Sequence, residues 1–84
     1  MWNRLEDILK LMPDNQIIEI RVIDKDIHGC SVYATTFEGY VSEARPLSRR
    51  GNYPKCIVRS MFSYNDPDID EDIICLELLG GGYN

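Results

Sequence analysis

Histidine occurs once in this chain, at His28, and although Ser31 follows three residues on, no orienting carboxylate accompanies the pair in a recognisable motif. Acid–base and nucleophilic catalysis depend most often on histidine. The plainer home for His28 is a solvated turn, and no catalytic residue is assigned. Also missing are a Walker-type glycine loop, a histidine–glutamate zinc helix and any pair of cysteines at ligand spacing. No metal or cofactor is expected. Cys30, Cys56 and Cys75 are odd in number and stand singly in apolar, strand-like runs, which argues against a disulfide framework and for reduced, buried thiols in a cytosol. Nowhere is there an apolar run long enough to cross a bilayer, and the first twenty residues are broken by Asn3, Arg4, Glu6, Asp7, Lys10, Asp14 and Asn15. Neither a secretory leader nor a membrane span is expected, and a cytosol is the expected location.

What the sequence does contain is ordinary globular material: 84 residues, 44% hydrophobic and 27% charged, which places it outside the disordered class. Such a length supports one core, so residues 1–84 read as a single domain whose apolar side chains are already committed to folding. Ligands and partners would dock on the outside.

Trp2, Leu5, Ile8, Leu9 and Met12 recur at helical spacing, with Asn3 as a candidate cap and Glu6 three residues on. The spacing predicts a helix over 3–12, ended by Pro13-Asp14-Asn15. Four runs have strand character: 16–24, with Ile18, Ile20 and Val22 alternating against Glu19, Arg21 and Ile23; 30–37; 55–64; and 73–79. Residues 42–54 combine Pro46, Gly51, Asn52 and Pro54 with arginines and read as a connecting loop with room for one or two helical turns. Gly80-Gly81-Gly82 opens a flexible tail over 80–84. The fold class is α+β: an N-terminal helix packed on a roughly four-stranded antiparallel sheet, with the last two strands adjacent. The other sheet face and an open edge strand are left for a partner or a second copy.

The net charge of −5 is unevenly spread. Residues 45–59 carry Arg45, Arg49, Arg50, Lys55 and Arg59 and no acid, whereas the rest of the chain holds all 14 acids against four bases. Arg45, Arg49, Arg50 and Arg59, with Tyr53, offer guanidinium forks and a stacking face suited to a small nucleotide or an acidic protein surface. The plain alternative is scattered surface ion pairs. At the other extreme, Asp66, Asp68, Asp70, Glu71 and Asp72 crowd one turn. Their spacing resembles a calcium loop, but Glu71 stands where that loop needs glycine, and Glu77 lies in a strand. Regularly spaced carboxylates can instead imitate a phosphate backbone and cover a nucleic-acid-binding surface. An ordinary solvated hairpin loop is the alternative, and direct nucleic-acid binding is not expected of so acidic a chain. Tyr33, Phe37 and Tyr40 form a third candidate, either as packing or as interface anchors on an uncovered sheet face.

The segments LEDILKLMPDNQIIEI, FEGYVSEA, CIVRSM and IICLELL, in that order, resemble a group of small accessory proteins of bacteriophages and mobile elements in Firmicutes and related gut bacteria. Those share a helix ending in a proline–aspartate turn, an aromatic–x–glycine step, here Phe37-Glu38-Gly39, and two closing strands. The arginine-rich 45–50 stretch departs from that pattern, in which an acidic or helical segment is expected. The resemblance implies a context rather than a chemistry: a short accessory protein of a phage or prophage working in the bacterial cytoplasm, and by association a non-enzymatic protein that inhibits a host antiviral defence effector by covering a functional surface. Two other readings stand beside it, an oligomer that sequesters a nucleotide messenger through the basic loop, and a homo-oligomeric structural or regulatory subunit.

Overall fold

A computed structural model describes residues 4–25, 28–29, 31–51 and 53–79. The elements are α1 (Leu5–Lys10), β1 (Ile17–Lys25), β2 (Ser31–Tyr40), α2 (Val41–Leu47), a single 3-10 turn (Tyr53–Lys55), β3 (Ile57–Asp66) and β4 (Glu71–Leu79). The fold is α+β, with the N-terminal helix and a four-stranded mixed sheet. Trp2, Asn3, Cys30 and the 80–84 tail lie outside the described residues. Arg4, rather than Asn3, stands at the N-cap of α1, without a side-chain capping bond. Glu6 makes ion pairs with Lys10 and Arg49 instead of closing a capping box.

The sheet order is β2-β1-β4-β3, and the expectation of an all-antiparallel sheet is corrected at its centre, where β1 and β4 run parallel. Burial accounts for this. In β4, Ile73 and Cys75 are buried on one face and Leu76 and Leu78 on the other, and β1 buries Ile18, Ile20 and Val22 opposite Glu19 and Ile23. Strands apolar on both faces belong inside a sheet, and parallel pairs are tolerated where both faces are occupied. Placing β4 beside β1 sends the more polar β3, with Arg59, Ser60, Ser63 and Asn65, to the edge. The adjacency of the last two strands is as expected: β3 and β4 form an antiparallel hairpin.

Both helices cover one face. Leu5 and Leu9 from α1, Val41 and Ala44 from α2, and Cys56 close over Ile18, Ile20, Val22, Val58, Leu76 and Leu78. Helix α2 occupies the first part of the stretch read as a loop. Its first two amides donate outside the helix, Val41 to the Gln16 carbonyl at 2.9 Å and Ser42 to that of Asp14 at 3.2 Å. These long-range partners satisfy groups that every helix start leaves open. They explain why a seven-residue helix containing Pro46 holds here.

A bulge in β2 changes the faces of its aromatics. Ile20 pairs with Phe37 but Arg21 pairs with Thr35, so Thr36 is the extra residue and the alternation inverts across it. Phe37 thereby turns to the helix-covered face and packs against the core. A Cβ on Gly39 would sit 3.0 Å from the Phe37 ring, so the aromatic–glycine step is a close approach that only glycine permits without displacement.

Candidate functional site

The acidic residues gather at the tip of the β3–β4 hairpin. Asp66 pairs with Glu71 and Asn65 with Asp72, leaving Pro67, Asp68, Ile69 and Asp70 as the turn, four residues shorter than the 65–72 loop read from composition. Asp66 organises it: its carboxylate accepts from the Asp68 amide at 2.9 Å, and its carbonyl accepts from the Ile69 amide at 3.3 Å. Proline at the second position suits this first bend, and Asp70 closes the loop with φ of 51°. Asn65 donates to the Asp72 carboxylate at 3.1 Å, and the Gln16 side chain donates to the Asp72 carbonyl at 3.1 Å. The tip is a held structure, with Ile69 standing 49% exposed among the carboxylates. Because Asp70 occupies a left-handed conformation that costs a non-glycine residue energy, Asp70→Gly is expected to stabilise the chain by about 0.5–1 kcal/mol, read as a raised urea midpoint.

The basic residues are dispersed. Arg45, on α2, donates from Nε to the Leu9 carbonyl at 3.3 Å and from Nη2 to the Met12 carbonyl at 2.6 Å, and Nη1 meets the Asp14 carboxylate. It closes the C-terminal end of α1. Arg49 pairs with Glu6 at 3.4 Å. Arg50 and Tyr53 line a cavity of about 210 Å³ with Val22, Thr36, Leu47 and Cys56, where the Tyr53 hydroxyl donates to Thr36 at 2.8 Å. Arg59 stands at a bulge on β3. Of the five, Arg50 and Tyr53 share a lining among the described residues.

The aromatic candidates also separate. Phe37 is on the covered face, Tyr40 is 48% exposed at the N-cap of α2, and Tyr33 sits opposite Ile23 in the strand register with its side chain outside the described residues. Among the described side chains, Phe62 and Tyr64 share the uncovered face, with ring centroids 6.5 Å apart and 43% and 37% exposed. Their two-residue spacing in a strand was the available signal.

Beside them lies a polar cluster that local sequence pattern does not single out. Glu19 is 4% exposed on the face without helices. Its carboxylate accepts from Arg21 Nε at 2.7 Å and Nη2 at 3.2 Å, from Thr35 Oγ1 at 2.8 Å and from Tyr64 Oη at 2.7 Å. The Arg21 hydrogen bond is the main reason its pKa lies at about 2; burial opposes this, and the Tyr64 and Thr35 bonds assist. Reciprocally, donation to Glu19 lifts the Tyr64 phenol to about 12, and burial lifts the Cys75 thiol beneath. A folded-state pKa above the unfolded value means that the Tyr64 contribution to stability is complete below about pH 10 and is lost as pH rises toward 12. Absorbance titration at 295 nm should show a tyrosine step near 12 that disappears in Tyr64→Phe.

Between this cluster and the hairpin tip lies an open cavity of about 280 Å³, lined by Ile17, Glu19, Glu38, Tyr64, Asp66, Ile69 and Ile73. Carboxylates and apolar groups alternate around it, and its chemistry suits a cationic side chain with an aliphatic stem. Among the described residues no group of three histidine, cysteine or acidic side chains is placed to hold a metal, and no helix is long and apolar enough to cross a membrane. No protein-family model matches the chain, and no curated protein or solved structure shows significant similarity to it.

Proposed function

We propose that the chain is a non-enzymatic binding protein whose acidic hairpin tip docks against a basic surface of another protein, covering a surface that otherwise meets nucleic-acid phosphates. The observation that carries the reading is the tip itself, where Asp66, Asp68, Asp70, Glu71 and Asp72 surround the exposed Ile69 beside the acidic cavity. Apolar contact at the centre of a charged rim is how protein interfaces gain affinity, while the rim sets orientation and on-rate. The resemblance to phage accessory proteins makes a host antiviral defence effector the expected target. A nucleotide-sequestering role has less support, because Arg45 is engaged at the end of α1 and Arg49 is paired with Glu6.

Affinity capture from host lysate, with the wild-type chain and an Asp68→Asn, Asp70→Asn, Asp72→Asn variant, tests this. The captured protein should be released by added double-stranded DNA, and the variant should bind at least about tenfold more weakly while melting normally. Equal capture by the two chains would sink the reading. Binding should also weaken as salt rises from about 0.05 to 0.5 M, since exposed charge pairs are screened.

A further inference from the structure

We infer that two copies of this chain pair through their β3 strands, antiparallel, about a two-fold axis passing through Ser63, so that the sheet continues from one copy into the other. This goes beyond the docking role of the hairpin tip and rests on the edge strand over Ser60–Asp66, which shares Asp66 with the tip and Tyr64 with the cavity beside it.

β3 lies at the sheet edge and is ten residues long. Such an edge presents unpaired amides and carbonyls and is usually blunted by charge, proline, bulges or a cover. Here, among the described residues, the blunting lies at its start: Arg4 bridges Ile57, and Arg59 is the bulged residue between Val58 and Ser60. From Ser60 to Asn65 the strand carries no charge and no proline, and Met61 on one face is 56% exposed, with Phe62 and Tyr64 exposed on the other. The opposite edge, β2, differs. It is bulged at Thr36, presents Thr35, Thr36 and Glu38, and is tied to Tyr53 through the Thr36 hydroxyl.

The usable run, Ser60–Asp66, has Ser63 at its centre. Pairing two such runs about Ser63 places Phe62 opposite the second copy's Tyr64, and Tyr64 opposite its Phe62. Both residues face the same side of the sheet, since they stand in register with Cys75 and Ile73 of β4. The parity of a continuous antiparallel sheet is therefore satisfied. Two cross-strand aromatic pairs result, adding to the tilted Phe62–Tyr64 contact within each copy. Charge fits the same register. β3 runs from a basic start at Arg59 to an acidic end at Asp66, so antiparallel pairing about Ser63 sets Asp66 of each copy opposite Ser60 and next to Arg59 of the other, and a parallel pairing would oppose like charges. The segregation of charge along the sequence becomes complementarity between two copies.

Sedimentation equilibrium of the wild-type chain should give about twice the 9.7 kDa chain mass. Phe62→Lys should raise the dissociation constant by at least about tenfold by placing ammonium groups in the paired aromatics, with circular dichroism confirming its fold and Leu11→Lys, at an 86% exposed position elsewhere, leaving the mass unchanged. Independently, Ser63→Cys in a Cys30→Ser background should form a covalent dimer on mild oxidation, whereas Asn65→Cys should not, because only position 63 meets itself. Cys56 and Cys75 are buried and do not compete. A monomeric wild-type mass up to about 100 µM, well above the range of a functional dimer, overturns the inference and leaves the edge to a foreign strand. A dimer in which either Phe62→Lys or Ser63→Cys fails to behave as stated overturns it equally.

Discussion

Glu19→Gln is expected to cost the fold about 3 kcal/mol, the lower end of the range for removing one partner from a buried ion pair. The lower end applies because Arg21 keeps 33% of its side chain in water and is not left wholly stranded. A chain of this length has on the order of 4–13 kcal/mol of stability in total, so a loss of that size removes between about a quarter and three quarters of it. The same replacement should flatten the acid limb of the stability curve. Wild-type Glu19 titrates near 2 when folded against 4.5 for the free group, so between those values the unfolded chain binds the extra proton. Stability therefore rises with pH across that window, is fully present above about 4.5, and falls away toward 2, with about 3 kcal/mol at stake for this one group. Every other carboxylate is common to both proteins, so the difference between wild type and Glu19→Gln isolates Glu19. Urea midpoints measured from pH 2 to 7 provide that difference. Parallel curves would show that the Arg21–Glu19–Tyr64 cluster is not closed in solution.

That cluster also marks the boundary of what the sequence can reveal. Alternation in 16–24 places Glu19 and Arg21 on the face opposite Ile18, Ile20 and Val22, and the side chains lie there. A charged pair on an uncovered face reads as solvated, and burial of Glu19 requires Tyr64 and Thr35, which come from strands β3 and β2. Strand pairing, not local pattern, creates the site. The same holds for topology. Runs of strand character were legible for a four-stranded sheet, but the parallel β1–β4 contact follows from which strands are apolar on both faces, a comparison between distant segments. The bulge at Thr36 reverses Phe37 relative to the simple alternation, because one extra residue inverts everything beyond it. The hairpin tip was legible because its turn is local: proline, aspartate spacing and carboxylate density all act within a few residues.

Leu9→Ala is expected to destabilise the chain by about 2–5 kcal/mol, the usual range for opening a cavity at a fully buried leucine. Leu9 is 0% exposed, and α1, only six residues long, has no stability apart from its packing. Its attachments include the Leu5 and Leu9 side chains in the core and Arg45, which takes the Leu9 and Met12 carbonyls at its end. Arg45→Met keeps the aliphatic stem and removes the donors, so it should cost about 1.5–3 kcal/mol, the range for hydrogen bonds to a charged group. The two losses should not sum. Once Leu9→Ala has loosened the helix, Arg45 has less to fix in place, and the double variant should fall short of the sum by at least about 0.5 kcal/mol. The cycle also distinguishes two roles for Arg45. If it clamps α1, Arg45→Met lowers the urea midpoint and leaves partner capture by the hairpin tip unchanged. If its guanidinium instead serves a ligand, the midpoint stays where it was, and α1 is held by the packing of Leu5 and Leu9 without a clamp.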